Sequence, residues 1–314
     1  MLQFCKGTDY LPFTKYLAID IGGTFIKYAI INTKYEIEKK WIVPSRHNEN
    51  ISLWDHLFEQ ISTDVAFGGI GISVPGIVDD SGTVQSKSSS VLKELYLKNI
   101  CQIFIEKYHI PVSVINDGKA AGLYECKFGY AKIYKHCVCL VIGTGIGGCL
   151  CYNGEVLSGK DNAAGEFHLI PNYDLKESKI FNIGDRCKVK TLEQKYFTIT
   201  GRYISSHEIF LLYKKLDNIA QIVVDEWITD LTVLLLTITS IYNPDVICIG
   251  GAISANKVFI DTLSQTYKKQ AEIHFKNFPA IAAQITCCSK AENNNLLGAI
   301  IHLTSILAYP PTVK

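Results

Sequence analysis

The sequence predicts an α/β fold of two halves with a cleft between them. Two glycine-rich turns suggest it, Asp20-Ile21-Gly22-Gly23-Thr24 and Gly143-Thr144-Gly145-Ile146-Gly147-Gly148, each set between strand-like runs far apart in the chain. Two further features mark strand ends, Asn116-Asp117 and Gly250-Gly251, each after an apolar run. Strand-like and helix-like patterns also alternate twice along the chain, the second time with larger helices. With 314 residues, 48% of them hydrophobic, there is room for about two domains with sizeable cores.

The elements follow in order. Residues 16–32 read as two strands around Gly22-Gly23-Thr24, and 37–43 as a third. Residues 52–65 carry Leu53, Leu57, Phe58 and Ile61 on one helical stripe. An apolar strand over 67–74 ends at Pro75-Gly76. A helix is predicted over 95–109, a strand over 112–115 and a helix over 118–128. The 137–152 segment reads as strand, glycine turn, strand, followed by a loop-rich stretch to about 204. Helices over 205–216 and 219–242, a strand over 246–249, a helix over 257–273, a strand over 282–287 and a last helix over 295–307 complete the pattern. The predicted division is a small lobe over 1–117 and a larger one over 118–294, with a final helix over 295–310 packing back on the first lobe.

The composition excludes some functions. With 31 basic and 30 acidic residues the formal charge is +1, which gives no attraction to nucleic acid or to an anionic membrane. No uncharged apolar run reaches about 18 residues, the length that reads as a membrane span. The start, MLQFCKGTDYLPFTKY, has no basic-then-apolar signal pattern, so a cytoplasmic location is expected. The 11 cysteines include no C-x-x-C pair, and Cys137/Cys139 and Cys149/Cys151 are spaced to face one side of their strands. They read as small buried hydrophobes, with disulfides disfavoured in a reducing compartment.

Each motif has a chemical and a plain structural reading. At the first turn, glycines can adopt positive φ and let backbone N–H groups approach an anion. Thr24 adds a hydroxyl donor, and Asp20 could hold Mg²⁺ directly or through water. The plain alternative is an ordinary hairpin. The second turn contains G-x-G-x-x-G at Gly143, Gly145 and Gly148, but Cys149-Leu150-Cys151-Tyr152 follows where a dinucleotide-binding fold needs a helix. It therefore reads as a second phosphate hairpin, with Thr144 as donor. Asp117, between a strand and a helix, is either a helix cap or a base accepting a proton from an attacking hydroxyl, with Asn116 beside it.

The motifs together resemble the actin/hexokinase/Hsp70-type ATPase fold (ribonuclease H-like), and more closely the ROK family of sugar kinases and repressors. The matching segments are DIGGTFIK at 20–27, SVPG at 73–76, IND at 115–117, IGTGIGG at 142–148, AGEF at 164–167 and NPDVICIGGAIS at 243–254. The resemblance implies ATP-dependent phosphorylation of a sugar 6-hydroxyl, with Mg²⁺, in a cytoplasmic homodimer. Asp117 would be the base. Asn116, Asp117, Glu166, Pro75 and Gly76 would bind sugar. Asp20, Gly22, Gly23, Thr24, Lys27, Gly143, Thr144, Gly145, Gly250, Gly251 and Ala252 would serve ATP, with Asp20 on Mg²⁺.

This chain departs from the family in two respects. Zinc-binding members carry a His three residues after the AGE glutamate and then a cysteine cluster, where this chain has Leu169 and the single Cys187. Too few ligands remain for tetrahedral zinc, so none is expected. His168 either faces the sugar or is a packed or surface residue. The pattern resembles the zinc-lacking branch, with β-glucoside kinases and N-acetylmannosamine kinases; glucokinase, fructokinase or a catalytically weak sugar-binding regulator are the alternatives. A repressor would carry a DNA-binding segment ahead of the first strand, where only 15 residues stand.

Overall fold

The computed structural model describes residues 14–45, 51–61, 66–87, 90–289 and 292–308. The chain divides into two compact units, Met1–Asn116 with Leu296–Lys314, and Asp117–Asn295.

The first unit is built on a five-stranded sheet. β1 (Lys15–Ile21), β2 (Phe25–Asn32) and β3 (Ile37–Pro44) form an antiparallel meander, and β4 (Ile70–Val74) and β5 (Val112–Asn116) add in parallel to give the order β3-β2-β1-β4-β5. β4 and the edge strand β5 are buried along their whole lengths, as parallel strands covered on both faces require. α1 (Leu53–Glu59) is capped by Ser52, whose side chain accepts from Asp55 N, and buries Leu53 and Leu57. The end of the predicted 52–65 helix, residues 62–65, lies outside the described residues.

The helix predicted over 95–109 is shorter. α2 (Ile100–Tyr108) begins after Asn99, whose side chain accepts from Gln102 N at 2.8 Å. Residues 96–98 are claimed by another interaction: Leu97 N donates to Val84 O, Val84 N to Lys98 O, and Leu97 sits at φ 58°. A cap is worth about 1 kcal/mol, and here it stands two residues after a left-handed residue that no α-helix passes through.

The second unit repeats the sheet pattern. β6 (His136–Ile142), β7 (Ile146–Tyr152) and β8 (Glu155–Leu157) are antiparallel, and β11 (Val246–Gly250) and β12 (Gln284–Cys287) add in parallel, giving β12-β11-β6-β7-β8. Between them, β9 (Pro171–Asp174) and β10 (Lys179–Asn182) form a small separate hairpin. Before β6 comes α3 (Asp117–Lys127), and after β10 come α4 (Gly184–Cys187), α5 (Val189–Thr200), α6 (Ser206–Lys214), α7 (Asn218–Tyr242) and α8 (Lys257–His274). The stretch expected to be loop-rich to about 204 thus contains a twelve-residue helix, α5. It buries Leu192 and Tyr196 four residues apart and stops at Gly201, which takes the left-handed cap conformation. The core centres on Trp227 of α7, fully buried with its ring 5.3 Å from that of Phe259 and its Nε1–H donating to Cys187 O.

α9 (Asn294–Ala308) begins in the second unit and returns the chain to the first. It lies directly on β4: a Cβ at Gly71 would stand 2.5 Å from Ala299 O. Tyr35 and Thr304 hydroxyls meet at 2.8 Å. Positions 309–310 of the predicted last helix lie outside the described residues. Among the described residues, no helix is long and apolar enough to cross a membrane.

Candidate functional site

In the first unit the candidate residues gather at the C-terminal ends of the parallel strands. Parallel register sets Asp20 of β1 against Ser73 of β4, and Val74 against Asn116 of β5. Asp20 is 6% exposed; its Oδ1 accepts from Ser73 Oγ at 3.0 Å and its Oδ2 pairs with Lys27 Nζ at 3.5 Å. Asn116 Nδ2 donates to Gly76 O at 3.0 Å, tying the Pro75-Gly76 turn to β5. Ligand sites at strand C-termini are the general rule in open α/β sheets.

The first glycine turn differs from expectation in its backbone. Neither Gly22 nor Gly23 adopts positive φ. Gly22 N–H donates to Phe25 O at 3.1 Å, and a Cβ there would stand 2.8 Å from that same oxygen, so the requirement at Gly22 is steric. Ser45, one residue past β3, braces the turn, donating its hydroxyl to Gly22 O at 2.7 Å and its N–H to Thr24 O at 2.9 Å. Gly23 and Thr24 are left exposed.

In the second unit, β6 and β11 run parallel and end side by side, with Gly250 opposite Val141. Gly251 at φ 89° then presses against the end of β6, where a Cβ would fall 2.1 Å from Ile142 O. The Gly250-Gly251-Ala252 turn is therefore brought beside the Gly143-Thr144-Gly145 turn. Around the latter the glycines serve no packing purpose: a Cβ at 143, 145 or 147 would meet nothing within 4 Å. Thr144 and Gly145 are exposed, while Gly143 O accepts from Val189 N and so joins the turn to the start of α5. Backbone bare of side chains, at the end of a sheet, is the surface that phosphate groups approach.

Asp117 opens α3, and its Oδ1 accepts from Gly118 N at 2.7 Å. The helix start is pressed onto the same hairpin, since a Cβ at Gly118 would stand 2.6 Å from Gly148 N. Glu166 stands on a loop locked to β7 by Gly165, which has φ 88° and would place a Cβ 2.7 Å from Cys149 Cα. Its Oε2 is 3.2 Å from His168 Nδ1. Burial raises the Glu166 carboxyl above the usual carboxylate range, and His168 and Lys119 oppose that rise. Lys119, in α3's first turn, is 5% exposed, and its buried ammonium donates to Asn162 O. Leu169 is 49% exposed, and Cys187 is fully buried in the core beneath α7.

Ser73 and Lys119 are absent from the sequence-based set. Ser73 stood within SVPG, and its role becomes visible only from the β1–β4 register. Lys119 carried a signal: a lone lysine in a run of small residues, two positions after Asp117.

The ROK family model matches residues 16–305. The chain belongs to the ROK family. It is similar to a β-glucoside kinase of Listeria monocytogenes, 27% identical over 299 residues that cover 92% of this chain and 97% of that protein. It is 26% identical to an N-acetylgalactosamine kinase of Shewanella over 276 residues, 81% of this chain and 86% of the relative. Among solved structures it resembles a ROK family protein of Streptococcus pneumoniae in complex with sucrose, with a TM-score of 0.83, 25% identity, and coverage of 94% and 99% of the two chains. The actin-like ATPase fold implied by the motifs is the fold of these ROK relatives.

Proposed function

We propose that this chain is an ATP-dependent sugar kinase that phosphorylates the 6-hydroxyl of a hexose derivative, with β-glucosides and N-acetylmannosamine favoured. The observation that carries this reading is local to the second unit. A carboxylate at the start of α3, Asp117, and the bare Gly143–Gly145 backbone belong to elements in direct contact through Gly118 and Gly148. Phosphoryl transfer asks for little more than a base to orient the hydroxyl and donors to disperse charge on the phosphoryl oxygens.

In this reading Asp117 accepts the proton of the attacking hydroxyl, and Asn116 and Glu166 bind neighbouring hydroxyls. Gly22, Gly23, Thr24, Gly143, Thr144 and Gly145 receive the ATP phosphates, Lys27 adds positive charge, and Gly250, Gly251 and Ala252 meet the adenosine side. Asp20 fits a cation held largely by water and phosphate oxygens, because it is a single carboxylate with each oxygen already bonded. Mg²⁺ bound there would neutralise charge on the phosphates.

Leu169, three residues beyond Glu166 and half exposed, offers apolar surface that would suit an aglycone or an acetamido group. A coupled ADP-release assay across glucose, cellobiose, an aryl β-glucoside, N-acetylmannosamine, mannose and fructose tests the reading. The expected result is a higher kcat/KM for a β-glucoside or N-acetylmannosamine than for glucose. A clear preference for free glucose overturns the substrate assignment, and no sugar-dependent ADP release overturns the activity.

A further inference from the structure

Apart from the site above, the second unit concentrates its cysteines in one place. The β6–β7 register pairs Cys137 with Cys151 and Cys139 with Cys149, so all four thiols stand on the same face of the hairpin. α3 lies over that face. Its Gly122 leaves a notch filled by Cys149, whose Sγ stands 1.9 Å from where a Cβ would be. Four residues on, one helical turn along the same side, Cys126 is placed above the Cys137–Cys151 pair. The three Sγ atoms of Cys126, Cys137 and Cys151 all lie within 4.8 Å of one another, with Cys126 and Cys137 3.2 Å apart. All three are buried, at 7%, 1% and 1% exposure.

A triangle of thiols has a size that discriminates among occupants. A metal ion about 2.3 Å from each of three sulfurs in one plane requires sulfurs about 4 Å apart. The Cys126–Cys137 pair, at 3.2 Å, would have to open by about 0.8 Å to provide that. The donor set is sulfur alone and threefold, and Cys149, the next thiol, is lodged in the Gly122 notch. Soft, all-thiolate ligation selects Cu(I) or zinc, and zinc asks for a fourth donor. The group is also close to the surface along the strands. Cys137 and Cys151 are one residue from the end of the hairpin, where the paired His136 and Tyr152 are partly exposed. Cys126 is one residue from the exposed Lys127 that ends α3.

We propose that Cys126, Cys137 and Cys151 form a Cu(I)-binding site, separate from the phosphoryl-transfer residues. Binding replaces thiol protons by the ion and releases them to solvent, with no change in oxidation state.

The test uses the full chain, reduced and kept without oxygen, titrated with Cu(I) in competition with a chromophoric Cu(I) chelator. One Cu(I) per chain is expected to leave the chelator, and X-ray absorption at the copper edge is expected to show three sulfur neighbours. Cys126→Ala should weaken capture by more than about 100-fold, whereas Cys101→Ala, a half-buried thiol of the first unit, should leave it unchanged. Circular dichroism establishes that each variant is folded, and Cys151→Ala serves if Cys126→Ala is not. Absence of stoichiometric capture by the unsubstituted chain overturns the proposal, as does capture unaffected in the folded variant. Stoichiometric retention of Zn(II) in preference to Cu(I) overturns the choice of ion.

Discussion

Asp117 has two readings, helix cap and proposed base, that a single substitution separates. Its Oδ1 accepts from Gly118 N at the start of α3, and an asparagine keeps that acceptor while losing basicity. Asp117→Asn is therefore expected to leave thermal stability within about 1 kcal/mol and to lower kcat by about 10²–10⁴. A kcat above a tenth of the unsubstituted value would assign the residue to capping alone. Glu166 gives a pH signature. An ionised carboxylate accepts hydrogen bonds from sugar hydroxyls more strongly than the protonated acid does, and burial raises the Glu166 pKa. Protonation then sets in at higher pH than for an exposed glutamate, so the acid limb of kcat/KM should lie above the ordinary carboxylate range. Lys119 opposes that rise, and Lys119→Met should move the limb to still higher pH. A limb at the same pH in the variant would remove Lys119 from the site's electrostatics.

At the scale of elements, β4 and α9 meet backbone to backbone at Gly71 and Ala299. Gly71→Ala would drive a Cβ to 2.5 Å from a backbone oxygen of α9, and neither strand nor helix backbone can yield cheaply. A loss of about 1–3 kcal/mol is expected, read as a lowered denaturant midpoint for the first unit; an unchanged midpoint would mean that α9 shifts freely. In the second unit, buried Glu125 accepts from Ser289 N at 2.8 Å, Ser289 Oγ at 2.9 Å, Asn294 Nδ2 at 2.9 Å and Tyr130 N at 3.1 Å. Glu125→Gln turns one acceptor into a donor that faces donors, at a cost of about 1–3 kcal/mol by chemical denaturation. These details show where sequence reading ends. Strands such as β1 and β11 were legible because their apolar runs stop at glycine turns. The Asp117 and Glu166 positions were legible because they stand in motifs. The start of α2 was not, because an apolar periodicity through Leu95 outweighed the cap at Asn99 and hid the pairing of residues 96–98 with Val84. α5 was hidden by its charged and threonine-rich face, although Leu192, Tyr196 and Gly201 carried its period and its stop. The Asp20–Ser73 bond depends on strand register, which local pattern does not specify.

For the molecule as a whole, the decisive feature is that the first unit is made from both ends of the chain and the second from one continuous stretch. α9 contributes Leu296, Ala299, Ile300 and Leu303, each at most 1% exposed. Three of these are large side chains worth about 1.5–3 kcal/mol apiece, a large share of a typical stability of about 5–15 kcal/mol. A chain ended at residue 295 is expected to leave residues 14–116 open to limited proteolysis while residues 117–295 resist it; equal resistance of both would contradict this. The same arrangement imposes an order on biosynthesis. The ribosome releases β1, β4 and β5 early, but the helix that covers them emerges only after all 179 residues from 117 to 295 have been made. At about 5–20 residues per second that interval is about 10–35 s. Throughout it the nascent chain carries the face of β4 without the helix that covers it, a surface open to aggregation until α9 is made.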